Sequence, residues 1–292
     1  MDEIDDILEL HDHPPLSSPV LIVALEGWID AGVAASGAMA ALLDSLDVAP
    51  YGSFETDELL DHRARRPTMR LVDGLVTELA WPAIEIGAAV DALGNHILLL
   101  HGAEPDHGWG RFCEAVTDLA LDLDVRMIVG LGAYPAPTPH TRGCQLALTS
   151  PSLRLVETHT GFVRGTVDVP AGIQAALEMA AHEEGLEALS LWAQIPHYLS
   201  GMSYPLGSIA LLDGIERVTG LTLPSNSLTE EASATRARID QLVDGNSQHE
   251  EMVRQLEEAV DSLPATSEIG SLPTGEELAA EFQEFLREQG NS

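Results

Sequence analysis

The most constraining feature of this chain is a short turn between an apolar run and a helix-forming run. Residues 20–25 are continuously apolar, as expected of a central parallel strand that is buried on both faces. The turn at residues 26–32 reads Glu-Gly-Trp-Ile-Asp-Ala-Gly, and the small, amphipathic residues 31–46 predict a helix. Ligands of open α/β sheets bind beyond the carboxyl ends of the strands. The sequence therefore predicts an α/β protein with a site at this turn.

Three further apolar runs also end in polar turns. Residues 95–100, 126–131 and 186–193 are predicted strands, and each is followed by a loop that carries histidine, carboxylate or aromatic residues. The loop after the second of these runs holds three prolines, which make it stiff. Two shorter strands are predicted at residues 145–148 and 153–157.

The carboxyl ends of parallel strands meet at one edge of a sheet, so we expect the polar turns to line a single pocket. Individually, each of these residues is a weak indication of function. The candidate pocket residues are Glu26, Gly27, Trp28, Asp30, His101, Glu104, Trp109, His140, Thr141, Arg142, His197 and Tyr198.

Several roles remain open for these residues. Asp30 is placed either to cap the following helix or to present a carboxylate at the lip of a pocket. Glu104 and His140 could act as an acid/base pair, and together with His101 they could bind zinc. The sequence lacks the familiar nucleophile-elbow, metalloprotease and dinucleotide-binding motifs. We therefore assign no catalytic residue, cofactor or metal ion.

The charge balance excludes several classes of function. The 292 residues include 14 basic and 47 acidic side chains, a net charge of −33, and every basic residue is arginine. Such acidity argues against nucleic acid and against anionic membrane surfaces as partners. The absence of lysine excludes a Walker A loop, a Schiff-base mechanism and a Ser-Lys dyad. Solubility in a salt-rich or crowded cytoplasm explains the acidity most simply.

A basic cluster and a hairpin signal follow the second predicted strand, residues 51–54. The cluster forms either an anion-binding patch or a set of ion pairs within or between subunits. The pair Asp73-Gly74 between two apolar runs predicts a β-hairpin, placed in an insertion at about residues 68–90. Such a hairpin often serves oligomerisation, because exposed strand edges need to be covered. The arginines of the cluster are Arg63, Arg65, Arg66 and Arg70.

The two ends of the chain differ in character from the α/β core at residues 20–225. Residues 1–19 are acidic and then rich in proline and serine, which predicts a mobile arm. Residues 226–292 carry 15 acidic side chains and 4 arginines, with helical periodicity. We expect two or three helices that pack over the core, either as a lid on the strand-end crevice or as a solvated acidic surface.

The compartment is predicted from what the sequence lacks. The acidic start is unlike a signal peptide, there is no apolar run of transmembrane length, and the two cysteines are too few for a disulfide scaffold. We therefore expect a cytoplasmic protein.

Four motifs together resemble one known family. The motifs are residues 26–32, residues 102–105 with Trp109, residues 139–142 and residues 192–198. In this order they are similar to the PAC2 family, the proteasome assembly chaperone 2-like proteins, and specifically to actinobacterial members. The similarity covers roughly residues 18–225. This chain lacks lysine and a glycine-rich phosphate loop, so the ligase label that some family members carry is not transferred to it.

The resemblance implies more than the residue patterns do. It implies a three-layer α/β/α sandwich resembling the purine nucleoside phosphorylase and hydrolase-like core, with a hairpin insertion and a C-terminal helical appendage. It also implies that the hairpin makes homo-oligomer contacts and that the protein is a homotrimer.

Two functions follow as hypotheses. The first is a non-enzymatic, homo-oligomeric assembly or chaperone-like factor that binds a protein partner. The alternative is a small-molecule-binding protein or enzyme of the hydrolase or phosphorylase type, with an unidentified ligand under the helical lid.

Overall fold

The computed structural model describes residues 7–13, 15–27 and 29–262, and within them the chain forms a large mixed sheet flanked by helices. The strands are β1 (Leu8–Leu10), β2 (Val20–Glu26), β3 (Ala49–Phe54), β4 (Thr68–Val72), β5 (Leu75–Ala80), β6 (Ile84–Val90), β7 (His96–Ala103), β8 (Met127–Ala136), β9 (Leu146–Thr149) and β10 (Ala188–Pro196).

Helices are interspersed with these strands along the described residues, and the prediction of an α/β fold is confirmed at that level. They are α1 (Ala34–Ser45), α2 (Thr56–Leu59), α3 (Trp109–Asp122), α4 (Leu153–Thr158), α5 (Ile173–Glu183), α6 (Pro205–Thr219), α7 (Asn226–Asp244) and α8 (Ser247–Ser262). None of the helices in the described residues is both long enough and apolar enough to cross a bilayer.

The strand order explains why the polar turns share one edge. The main sheet has the order β1-β3-β6-β7-β2-β8-β10-β9. Its four central strands, β7, β2, β8 and β10, are parallel neighbours, whereas the outer strands run antiparallel to their partners. The carboxyl ends of the four central strands therefore lie side by side.

The sheet is buried on both faces, as its continuous apolar strands predict. In β2, Val20 and Ile22 pack into a core with α1 and α6, while Leu21 and Val23 pack into a second core with α3 and α5. The alternation follows from the two-residue period of a strand. The helices thus cover the sheet in two layers.

The hairpin is separate from the main sheet. Strands β4 and β5 pair only with each other among the described residues, and Asp73 (φ 50°) and Gly74 (φ 83°) form the turn between them. The predicted insertion of about residues 68–90 is longer than this hairpin. Ile84–Val90 pairs with β3 and β7 and belongs to the main sheet, because its alternate residues are needed to extend the second core.

Two sequence-based expectations differ from the structure. The first expectation was a mobile N-terminal arm. In the described part of this arm, Ile7 is buried and β1 pairs with β3, because Ile7 and Leu8 complete the second core. The strand expected at residues 153–157 is the short helix α4. The hydroxyl of Ser152 accepts a hydrogen bond from the amide of Leu155 and so caps a helix there.

Candidate functional site

The turn after β2 is built around the carboxylate of Asp30. Its Oδ1 accepts the amide of Ala35 at 2.8 Å, and its Oδ2 accepts the amide and the hydroxyl of Ser36 at 2.9 and 2.6 Å. These donors lie in the first turn of α1, where helix amides lack partners of their own. Asp30 therefore caps the helix, the structural one of its two predicted roles.

The same turn contains an unusual backbone. Gly32 (φ 65°) and Val33 (φ 53°) are both left-handed, which delays the start of α1 from the predicted residue 31 to residue 34. A β-branched residue is costly in this region, and such strain often lies at functional sites. Gly32 exchanges backbone hydrogen bonds with the loop after β10, accepting from Tyr204 at 2.8 Å and donating to Ser200 at 2.9 Å. The candidate Trp28 lies outside the described residues.

The candidate residues divide into two groups by their contacts, and the first group surrounds Glu104. The Oε1 of Glu104 accepts the amide of Ile173 at 2.7 Å, at the start of α5. A Cβ at Gly27 would lie 1.9 Å from Oε2 of Glu104, so only glycine lets this side chain cross the turn. The carboxylate thus sits at the positive end of a helix, where it is electrostatically favoured.

The exposed Glu26 and the partly buried Trp109 border this first group. The carbonyl of Glu26 accepts the amide of Glu104 at 2.9 Å and the guanidinium of Arg65 at 3.3 Å. The indole of Trp109 donates to the carbonyl of Pro105 at 2.6 Å. The backbone of Glu26 and the indole of Trp109 are therefore held by local structure.

The arginine cluster does not form a single patch. Arg65 pairs with Asp106 at 3.3 Å beside the strand ends, whereas Arg70 lies on the hairpin, 3.9 Å from Glu78. Arg63 and Arg66 are exposed and make no ion pair with any described residue. These two side chains are available to an external anion or to an acidic surface of another subunit.

The second group is centred on His140, which is 1% exposed. The hydroxyl of Tyr198 accepts the backbone amide of His140 at 2.9 Å and lies 2.6 Å from its Nδ1. The Nε2 of His140 lies 3.1 Å from Oδ1 of Asp240 on α7. Arg236 joins the group by pairing with Asp240 at 3.0 Å and by donating to the carbonyl of His140 at 2.7 Å.

The hydrogen bonds of this group favour a neutral imidazole. Tyr198 accepts from the amide, so its own proton points to Nδ1, and Nε2–H donates to Asp240. Burial lowers the pKa of His140, and the nearby Arg236 acts in the same direction against the opposing effect of Asp240. Burial raises the pKa of Tyr198 to about 12. Both groups are therefore uncharged at neutral pH.

The next two residues of the same loop contact α8. The hydroxyl of Thr141 donates to Glu257 at 2.5 Å. Arg142 makes a bidentate pair with Asp261, at 2.9 and 2.6 Å, and also contacts Glu257 at 3.1 Å. The loop after β8 is thus connected to both described C-terminal helices.

The other two candidate histidines, His101 and His197, take no part in the hydrogen bonds described above. His101 is half-buried on β7, and burial lowers its pKa despite the nearby Glu85 and Glu26. His197 is exposed, and its ring meets that of Tyr198 edge-on. The described residues contain no group of three side chains placed to hold a metal ion. The acid/base and zinc alternatives both need Glu104 near His140. Glu104 contacts the amide of Ile173, whereas His140 contacts Tyr198 and Asp240.

Sequence reasoning missed the partners on α7 and α8. Arg236, Asp240, Glu257 and Asp261 lie in a segment whose periodicity indicated helices but not their contacts. The sequence did contain one indication that such partners exist. The stiff Pro-rich loop after β8 holds His140 and Arg142 at a defined place, and charged side chains that are buried or fixed need partners.

These features define a class of protein. It is an α/β protein with helices on both faces of its sheet, in which the loop after β8 is hydrogen-bonded to C-terminal helices. The family model for the PAC2 family matches residues 24–243, so the chain belongs to the PAC2 family. No curated protein matches the chain.

Solved structures of relatives agree with this assignment. A Mycobacterium tuberculosis protein of unknown function is 36% identical, with a TM-score of 0.80, over 88% of this chain and 89% of its own. A proteasome-assembly chaperone homologue from the same organism is 32% identical, with a TM-score of 0.74, over 80% and 99%. An archaeal proteasome activator from Pyrococcus furiosus shares the fold at 15% identity, with a TM-score of 0.63, over 80% and 97%.

Proposed function

We propose that this protein is a non-enzymatic, chaperone-like assembly factor that acts as a homo-oligomer, with the β4–β5 hairpin as its self-association surface. Its membership of the PAC2 family and its 32% identity to a proteasome-assembly chaperone homologue support the class of function. By the same resemblance we propose a homotrimer, a cytoplasmic location and a core of the phosphorylase and hydrolase-like type.

The exposed hairpin is the observation that carries this proposal. Every residue of β4 and β5 is exposed, and six large apolar side chains on them are each at least 45% accessible. An isolated two-stranded hairpin is marginal in water, and a clustered apolar patch commonly marks a protein interface. The six are Met69, Leu71, Val72, Leu75, Val76 and Leu79.

Charge also favours the hairpin region as the contact between subunits. A net charge of −33 makes copies of the chain repel one another over most of their surface. The hairpin and the segment before it carry Arg63, Arg66 and Arg70, so this part of the surface has less negative charge than the rest. Association through the hairpin region would bury apolar side chains where the electrostatic repulsion between subunits is weakest.

We further propose that α7 and α8 act as a lid over the carboxyl edge of the sheet. The hydrogen bonds from His140, Thr141 and Arg142 to these helices support that role. Such a lid would order the strand-end loops that a protein partner meets.

One observation favours the alternative, a small-molecule or enzymatic function under the lid. Tyr198, His140 and Asp240 form a continuous hydrogen-bonded chain that resembles a proton-relay arrangement. In this protein the same chain holds α7, so substitution of His140 disturbs the lid as well as any pocket.

The assembly function can be tested with the full chain and separately purified proteasome subunits from Mycobacterium tuberculosis. We expect the full chain to raise the rate at which assembled particles appear, measured by native mass spectrometry, and Leu75→Asp to reduce this effect. Leu93→Asp is the matched control, since Leu93 is 74% exposed, against 68% for Leu75, and lies outside the hairpin. No acceleration at stoichiometric excess would contradict the assembly function.

A further inference from the structure

A groove on the outer side of the α1–α6 layer has the features of a second ligand site. Its volume is about 310 Å³, and α1, the loop before α6 and the start of α7 line it. This volume is within the range of small-molecule sites. None of the twelve strand-end candidates lines the groove. Its position is distinct from both groups described above.

Ser208 contributes a hydroxyl to the floor of the groove. Ser208 is 2% exposed, and its hydroxyl makes no hydrogen bond to any described residue. Its Oγ lies 2.7 Å from the position of a Cβ at Gly37, the residue that faces it across the floor. The hydroxyl of Ser208 can therefore hydrogen-bond with water or with a molecule bound in the groove.

The rim carries negative charge. Asp44 and Glu231 are exposed at the groove, and neither pairs with a described residue. No arginine lines the groove, and Ser203 and Ser227 add two hydroxyl oxygens that can accept hydrogen bonds. The remaining wall is made of small or aliphatic side chains, including Val33, whose strained backbone shapes one side.

The sign of the charge decides the class of ligand. The N-termini of α6 and α7 face this region and would favour an anion, but each contributes only about half a positive charge. Two full carboxylates at the rim, in a chain with a net charge of −33, outweigh them. The apolar wall suits a short hydrocarbon body.

We propose that this groove binds a small aliphatic ammonium or guanidinium compound. The cationic head lies between Glu231 and Asp44, the serine hydroxyls accept hydrogen bonds from it, and its methylene groups lie against Ala40 and Leu228.

The test uses three probes with the same four-carbon body: n-butylammonium, n-butanol and butyrate. Amide TROSY spectra of the full chain are recorded during titration at low salt. We expect n-butylammonium to cause saturable shifts at Gly37 and Ser208, with an affinity at least about tenfold higher than that of n-butanol. Butyrate causing equal or stronger shifts at these amides would overturn the proposal.

Matched variants distinguish binding in the groove from the non-specific attraction of cations to an acidic protein. Glu231→Gln should weaken n-butylammonium binding about five- to tenfold, because one of the two carboxylates loses its charge. Glu230→Gln removes the same charge from the neighbouring position on α7, outside the groove, and should leave binding unchanged. Equal weakening by the two variants, or shifts spread over the surface without saturation, would show adventitious binding and overturn the site.

Discussion

The Nε2 atom of His140 lies 3.1 Å from Oδ1 of Asp240, and this contact joins the loop after β8 to a helix 100 residues further along the chain. The histidine is buried, whereas the carboxylate is partly exposed on α7. The contact therefore holds a C-terminal helix against the edge of the sheet at which four parallel strands end.

The first prediction concerns Asp240→Ala. The substitution leaves the buried Nε2–H of His140 without an acceptor, which costs about 1–3 kcal/mol, and it also removes the partner of Arg236. We expect a lower free energy of unfolding in urea and faster amide hydrogen exchange in α7. The control is Asp244→Ala, an exposed carboxylate on the same helix. Similar exchange rates in the two variants would show that the contact does not hold α7.

The second prediction concerns stability at mildly acid pH. His140 has a lowered pKa in the folded protein, mainly because it is buried, so the unfolded chain takes up its proton more readily. Its contribution to stability is present above the ordinary histidine pKa of about 6.5 and is lost as the pH falls toward the folded value. Taken alone, this contribution lowers the urea midpoint between pH 7 and pH 5.5, whereas the buried carboxylate Glu178 acts in the opposite direction over the same range.

His140→Gln is the variant that assigns this effect. His101 and His159 also have lowered pKa values and contribute with the same sign. Relative to the native chain, the variant should therefore lose less stability as the pH falls from 7 to 5.5, while the contributions of His101 and His159 remain in both proteins. An unchanged slope would mean that His140 titrates normally in the folded protein.

The third prediction concerns Glu178, a carboxylate buried between α5 and the sheet. Burial raises its pKa to about 7, against the hydrogen bonds from Ser190 and Thr149. The folded state therefore holds this proton more strongly than the unfolded state, and stability is lost as the pH rises from the ordinary carboxyl range through about 7. The loss is roughly 3 kcal/mol by linkage.

Glu178→Gln keeps the shape of the neutral side chain and cannot ionise. Between pH 5 and pH 8 the native chain should lose stability relative to this variant, because only the native chain loses the contribution of Glu178. Glu183→Gln, at an exposed position of α5, should behave like the native chain. If Glu178→Gln declines as steeply as the native chain, then this carboxylate is not the titrating group.

The fourth prediction concerns Gly27→Ala. The new Cβ would lie 1.9 Å from Oε2 and 2.6 Å from Cβ of Glu104, so the glutamate would have to leave the amide of Ile173. Loss of a helix cap costs about 0.5–2 kcal/mol, and the steric conflict adds to it. Gly143→Ala meets open space and should be nearly neutral in the same urea measurement. A neutral Gly27→Ala would show that Glu104 does not depend on this glycine.

The sequence was most informative where a local residue pattern alone determines the secondary structure. The apolar runs that predicted four buried strands are the central strands of the sheet. The Asp73-Gly74 turn was equally clear, because both residues tolerate a positive φ.

Other features depend on tertiary contacts that a local pattern does not contain. Nothing in the sequence marks Val33 for a left-handed backbone, which the hydrogen bonds of its neighbour Gly32 to the β10–α6 loop impose. β1 has only three residues in an acidic segment, so its pairing with β3 gives no periodic signal. The loop of His140 was recognisable, but its partner Asp240 became evident only when α7 was placed beside it.

The central claim, self-association through the hairpin, is tested most directly by the mass of the full chain in solution. Size-exclusion chromatography with light scattering should give three times the chain mass of 31.2 kDa for the native protein. Leu75→Asp places a charge in the exposed apolar surface of the hairpin and should reduce the mass toward that of one chain, while Leu93→Asp should not. A native protein with the mass of one chain, or an unchanged oligomer in Leu75→Asp, would contradict the claim.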